Sequence, residues 1–210
     1  MGICQQGVFG NFRGKVGNVV GRVRQGRNVY AIYQPVVNNP QTADQMATRS
    51  NFTLLSKFMS KCITAVRIGF KYLDGYKYGS AYSSAVGYNL KINGIINSGA
   101  IDFTKVVMSE GALDALLNLT EQNDSGTITL TWTDTTGLGN AKADDIVYVV
   151  AYNKDLGVCI VDNSAERGDR NATVTCPTPW AGNTVEFWAF CESADGRYVS
   201  TSQYLGNEVM

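Results

Sequence analysis

Histidine is absent from all 210 residues. That removes the side chain best suited to proton transfer near neutral pH and the commonest metal ligand, so every His-based catalytic triad is excluded. Cysteine is sparse: Cys4, Cys62, Cys159, Cys176 and Cys191 include no Cys-x-x-Cys pair, which argues against a structural zinc or a dithiol redox motif. An odd number also cannot close a complete disulfide framework. Buried thiols in a reducing cytoplasm are the expectation, with a Cys176–Cys191 bridge left open. No apolar run reaches the roughly 18 residues of a membrane span, because Lys57, Lys61 and Arg67 break the richest one, and a soluble protein with no membrane partner is expected. The opening Met1-Gly2-Ile3-Cys4-Gln5-Gln6 lacks the charged-then-apolar order of a secretory signal, and Gln6 stands where a myristoylation site needs Ser or Thr.

Acid is almost missing from the first third of the chain. Residues 1–72 hold one acid, Asp44, against ten Lys and Arg, whereas residues 73–210 hold seventeen acids against eight. The net charge of zero is therefore +9 and −9, which suits regions with different partners, or copies packing positive end against negative end. What is abundant is glycine, 22 residues, and tyrosine, 11, within a hydrophobic content of 44 %. That combination describes a folded, strand-and-turn protein that needs unusual dihedrals and amphipathic surfaces.

From Gly7 to Gly26 glycine recurs every three or four residues until Gly21. So many glycines would cost a helix about 1 kcal/mol each relative to alanine, and Val16, Val19, Val20 and Val23 favour strands. A β-hairpin turning at Arg24-Gln25-Gly26-Arg27 is predicted. Val29, Ala31 and Tyr33 point one way from its second strand and Tyr30 and Ile32 the other, so both faces need cover that an isolated hairpin cannot supply. The hairpin either docks on its own chain or adds to a neighbouring subunit by β-augmentation; we favour the neighbour. The assembly interface is expected at Phe9, Phe12, Val16, Val19, Val20, Arg22, Arg24, Arg27, Tyr30 and Ile32.

Asn39-Pro40-Gln41-Thr42 reads as a helix start, with Asn39 as cap and Asp44 complementing the positive dipole end. Apolar residues at helical spacing from Ala43 to Phe70 predict one amphipathic helix over 41–70, about 45 Å long at 1.5 Å per residue. A shorter helix over 80–91 ends near Asn93-Gly94. Beyond residue 100 the pattern becomes stranded: 103–108, 127–133, 146–152, 157–161, 172–176, 184–190 and 197–202 are seven short strand candidates separated by turn signals. The expected fold class is α+β, mostly β: an N-terminal β-hairpin arm (1–38), a helical segment with a long and a shorter helix (39–100), and a C-terminal immunoglobulin-like antiparallel β-sandwich (101–210).

No complete catalytic motif accompanies that frame. Gly10-Asn-Phe-Arg-Gly14-Lys15-Val16 misses the phosphate-loop spacing and its following Ser or Thr, and Gly7, Gly10, Gly14 and Gly17 do not fit a dinucleotide loop. Asp144-Asp145, Asp162, Glu166 and Asp169 could supply a glycosidase carboxylate pair, yet they fall in turns, where acids cap local amides. The loop Asp162-Asn163-Ser164-Ala165-Glu166 lacks the spacing of a calcium hand. No catalytic residue, cofactor or metal is expected. Trp180, Trp188, Tyr198 and Tyr204 could form a sugar platform; Trp188 falls within a strand, which leaves Trp180, between Pro179 and Ala181, as the loop candidate for a sugar contact. Arg13, Lys15, Arg22, Arg24 and Arg27 could touch nucleic-acid phosphates, although the acidic remainder would repel the same polymer.

The stretch Gly7-Val-Phe-Gly10-Asn-Phe-Arg-Gly14-Lys15-Val16-Gly17-Asn18-Val19-Val20-Gly21, then Asn39-Pro40-Gln41-Thr42 with Gln45, Arg49-Ser50-Asn51-Phe52 and the closing Tyr204-Leu205-Gly206, resembles an uncharacterised domain family of gut Bacteroidota and their tailed, crAss-like phages. The resemblance spans nearly the whole chain and implies an architecture and a Bacteroidota or phage setting, without catalytic residues. Arg22-Val23-Arg24 is more basic than is usual there. The expected function is a non-enzymatic structural protein of a phage virion, at the capsid surface, neck or tail, assembled in the bacterial host cytoplasm. Its expected partners are copies of itself and other virion proteins. The alternative is an immunoglobulin-like module that recognises a glycan or protein, in the bacterial cytoplasm or at the cell surface.

Overall fold

The computed structural model describes residues 3–4, 12–24, 26–36, 39–71, 79–124 and 126–210. The chain divides into two compact units, Met1–Met46 and Ala47–Met210. The division between them falls within the helix that starts at Ala43.

In the first unit four short strands, β1 (Ile3–Cys4), β2 (Phe12–Val16), β3 (Val19–Arg24) and β4 (Arg27–Ile32), form an antiparallel sheet in the order β1-β2-β3-β4. The predicted turn is present: Arg24 pairs with Arg27, and Gly26 has φ +74°. A second tight turn at Gly17, φ +56°, pairs Val16 with Val19 and extends the expected hairpin into a meander. The repeated glycine is used at Gly21. A Cβ there would lie 2.8 Å from the Phe12 ring, which crosses β3 at this point and meets Tyr30 at a centroid distance of 5.0 Å. An aromatic ring covering a strand glycine restores packing that glycine alone cannot offer.

Helix α1 (Ala43–Lys61) begins with Thr42, not Asn39, as its cap: the amide of Gln45 donates to Thr42 Oγ1 at 3.4 Å. The single long helix predicted to residue 70 is broken at Cys62 (φ −94°, ψ 28°), after which α2 (Ile63–Gly69) continues. Ser60 Oγ donates to the Lys57 carbonyl at 2.7 Å just before the break, and the Cys62 amide bond to Phe58 O is stretched to 3.4 Å. Such back-bonding hydroxyls bend helices. The shorter helix, α3 (Ala81–Leu90), starts as read, with Ser80 Oγ accepting from the Ser83 amide at 3.1 Å. A two-stranded ribbon follows, β5 (Ile96–Asn97) with β6 (Ala100–Ile101).

The sandwich has seven strands in two antiparallel sheets. β7 (Leu117–Asp124), β8 (Thr127–Thr133) and β11 (Asn171–Thr175) form one in the order β11-β8-β7; β9 (Ile146–Asn153), β10 (Val158–Glu166), β12 (Thr184–Glu192) and β13 (Gln203–Val209) form the other in the order β10-β9-β12-β13. The chain changes sheet after β8, β10 and β11, the Greek-key connectivity of an immunoglobulin-like fold, with the fourth strand beside the third. Two of the seven strands lie elsewhere than predicted. Residues 103–108 form a 3₁₀ turn, Phe103–Lys105, and an extended link, and the first strand is β7. The last is β13 rather than 197–202, although Val199 and Ser200 make isolated bridges to Glu192 and Leu113.

The four-stranded sheet is the middle layer of its unit. Tyr148, Val150, Tyr152, Trp188 and Phe190 pack with the helices on one face, while Val147, Val149, Ala151, Val185, Phe187, Ala189 and Cys191 fill the core against the other sheet. Burial on both faces explains why β9 and β12 read as unbroken apolar runs. Gly69 is obligatory in the helix layer, because a Cβ would lie 2.7 Å from Ser109 Cα. Ser109 there donates to the carbonyls of Ser200 (2.6 Å) and Gly69 (3.3 Å).

Candidate functional site

Strand pairing sorts the arm into two chemically distinct faces. Directly opposed residues of antiparallel strands share a face. The pairs Val16–Val19, Gly14–Gly21, Gly21–Tyr30 and Val19–Ile32 therefore place Phe12, Val16, Val19, Val23, Tyr30 and Ile32 together. The pairs Lys15–Val20, Val20–Ala31, Arg22–Val29 and Arg24–Arg27 place Arg13, Lys15, Val20, Arg22, Arg24 and Arg27 on the reverse. Of the expected interface residues, the structure brings Phe12, Val16, Val19, Tyr30 and Ile32 onto one apolar surface, and puts Val20, Arg22, Arg24 and Arg27 on a basic one. Phe9 lies outside the described residues.

The apolar face is open. Val16 is 51 % exposed, Tyr30 47 % and Ile32 79 %, and of the described residues from 12 to 46 only Gly21 is buried. On the basic face the Lys15 ammonium lies 3.4 Å above the centre of the Tyr33 ring. Among the described strands β4 ends the sheet, so its outer edge faces away from β3.

Trp180 is not presented to solvent. It closes a 3₁₀ turn, Thr178–Trp180, and is buried in the inter-sheet core, 3 % exposed. Pro177 fixes the entry to that turn, and its carbonyl accepts from the Trp180 amide at 2.8 Å. The Cys176–Cys191 bridge is likewise absent, and Cys62, Cys159, Cys176 and Cys191 are free thiols. Cys62 and Cys159 meet between the helices and the sheet, and their hydrogen bond, together with burial, holds the Cys62 thiol well above its usual pKa. Burial pushes Cys191 up to about 12.

Two of the turn acids, Asp162 and Asp169, hold local amides. Asp162 Oδ2 accepts from Ser164 N at 3.2 Å and Asp169 Oδ2 from Glu166 N at 2.9 Å. Asp145 is the exception, buried against Arg167. Among the described residues no cluster of His, Cys, Asp and Glu is arranged to hold a metal ion.

Sequence reasoning missed a cavity of about 430 Å³ in the second unit. Its floor is aromatic: Phe58 from α1, Phe103 from the 3₁₀ turn and Tyr152 from β9, with Phe58 edge-on to Tyr152 at 4.9 Å and to Phe103 at 5.4 Å. Its rim is cationic, made by Lys57 and Lys61, one helical turn apart on α1, and by Lys154 just beyond β9. The available signal was the spacing Lys57–Lys61 flanking Phe58, which read as a solvated helix edge.

With the meander, the helix layer and the Greek-key sandwich in place, one comparison decides the family: the family model described as Family of unknown function (DUF6266) matches residues 11–206. The chain belongs to that family. The DUF6266 match covers the described part of the arm from Phe12, the helices and the sandwich through Gly206, so arm and sandwich are parts of one family architecture. It agrees with the motif resemblance, which pointed to an uncharacterised domain family. No curated protein matches this DUF6266 chain. Among the described residues no helix is long and apolar enough to cross a membrane.

Proposed function

We propose that the protein is a non-enzymatic assembly component that oligomerises through its N-terminal β arm, taking a neighbouring copy on the apolar face and the β4 edge. The observation that carries this reading is the exposed surface of Val16, Val19, Val23, Tyr30 and Ile32 on a sheet in which, among the described residues of β2, β3 and β4, only Gly21 is buried. A thin sheet with so little core gains stability from cover, and an exposed strand edge is a template for a further strand. The charge division supports a copy as the partner, since the arm's basic face complements the acidic remainder of another chain. The setting we propose is a tailed-phage particle, as a capsid-surface, neck or tail protein assembled in the host cytoplasm beside other virion proteins. The resemblance to a family of gut Bacteroidota and their phages supports it, and portal, capsid or tail genes beside the coding sequence are the expected genomic context. The alternative of a sugar-gripping module loses its favoured residue, because Trp180 is buried.

Sedimentation velocity of the full chain beside Ile32→Asp tests the assembly reading. A carboxylate in the centre of the apolar face is expected to shift an oligomer to monomer; an unchanged oligomer contradicts the proposal.

A further inference from the structure

We infer that the cavity between α1, the β5–β6 ribbon and the end of β9 binds a small aromatic acid: a flat apolar body lying on Phe58, Phe103 and Tyr152, with its carboxylate or phosphate held by Lys57, Lys61 and Lys154. This ligand site is separate from the arm and goes beyond the assembly reading.

The size fits, since about 430 Å³ falls within the range of roughly 300–1,000 Å³ typical of small-molecule sites. The chemistry is one-sided. No carboxylate lines the cavity, whereas Lys57 and Lys61 of α1 and Lys154 beyond β9 do. Lys57 and Lys61 are like charges at i and i+4, an arrangement that opposes the helix until an anion bridges it. Of the neighbouring acids, Asp102 accepts from Thr104 Oγ1 at 2.6 Å and pairs with Lys105 at 3.4 Å, while Glu186, held by the Tyr204 hydroxyl at 2.7 Å, also forms a 3.9 Å ion pair with Lys154 and leaves Lys57 and Lys61 as the pair that an anion would bridge. Lys154 also stands 5.7 Å from the centre of the Phe103 ring, at the boundary between cationic rim and aromatic floor. An inorganic anion would leave that floor wet, and a neutral ring would leave Lys57 and Lys61 without a counter-anion. A ligand with both parts satisfies both.

The test is a set of amide chemical-shift titrations of the ¹⁵N-labelled full chain, read at Gly99, Ala100 and Phe103. The probes are 2-naphthoate, the neutral 2-naphthalenemethanol and inorganic phosphate. Naphthoate is expected to saturate these amides, with the alcohol about tenfold weaker and phosphate failing to saturate. Lys57→Gln with Lys61→Gln is expected to weaken naphthoate about tenfold and leave the alcohol unchanged. Lys154→Gln, on a different element, is expected to act in the same direction, which guards against a purely helical effect of the first variant. Equal affinity for naphthoate and the alcohol, saturation by phosphate alone, shifts confined to other regions, or lysine variants with unaltered naphthoate affinity would each overturn the assignment.

Discussion

Arg167 and Asp145 form an ion pair sealed from solvent, with Nε 2.9 Å from Oδ2 and both side chains 0 % exposed. The remaining guanidinium donors reach Thr135 Oγ1 at 2.9 Å and the Asp114 carbonyl at 2.6 Å, while Asp145 Oδ2 also accepts from Lys142 N at 2.9 Å. Trp132 Nε1 donates to the Arg167 carbonyl at 2.8 Å, so the pair ties β8 to the loops at one end of the sandwich. Asp145→Ala leaves a buried cation and is expected to cost about 3–5 kcal/mol, whereas Asp145→Leu with Arg167→Met recovers most of the loss. Urea midpoints of the three proteins check this, and a double variant as unstable as the single one would contradict it.

The Phe12 ring over Gly21 makes a second prediction, confined to the arm. Gly21→Val places side-chain atoms where the ring lies and is expected to displace Phe12 from Tyr30. Hydrogen exchange at Val20, Gly21 and Arg22 should accelerate while amides of β9 and β12 keep their protection. Slowed or unaltered exchange in β3 would show that the ring does not hold the strand.

Alkaline stability is expected to depend on Tyr148. Its hydroxyl donates to Glu192 Oε2 at 2.8 Å and its ring stacks on Phe190 at 5.1 Å. Burial first, and then the Glu192 bond, push the phenol up to about 12, and Tyr204 is raised by burial and by Glu186. A phenol whose folded pKa is raised contributes stability that is fully present below its unfolded value near 10 and is lost as pH rises through the folded value. Unfolding free energy should therefore decline from about pH 10 toward 12, and Tyr148→Phe should flatten that decline. At pH 7 the same variant strands the Glu192 carboxylate and should cost about 1–3 kcal/mol. Denaturant titrations at pH 7, 10 and 12 read both effects; an equally steep decline in the variant would assign the alkaline loss elsewhere.

Legibility in the sequence followed burial. β9 and β12, buried on both faces, were placed within a residue or two because their apolar runs leave no other reading, and β8 by its alternation of Ile128, Leu130 and Trp132 with threonine. β7 was missed because it is an edge strand with Leu117 exposed and mostly polar residues after Leu119. Phe103 imitated a strand residue, yet its ring belongs to the Phe58, Tyr152 and Trp188 cluster, a contact no local pattern carries. In the arm, the turn at Gly26 was readable, while the division into apolar and basic faces needed the register set at Gly17. Trp180 and Asp145 failed for a shared reason: a loop position does not reveal whether the side chain turns inward.

Solution mass of the full chain beside a chain lacking residues 1–36 tests the central claim most directly, because both hydrophobic cores lie within residues 47–210 and are expected to fold without the arm. Assembly through the arm predicts an oligomer for the full chain and a folded monomer for the shortened one. The same mass per chain in both, whether monomeric or oligomeric, would contradict it.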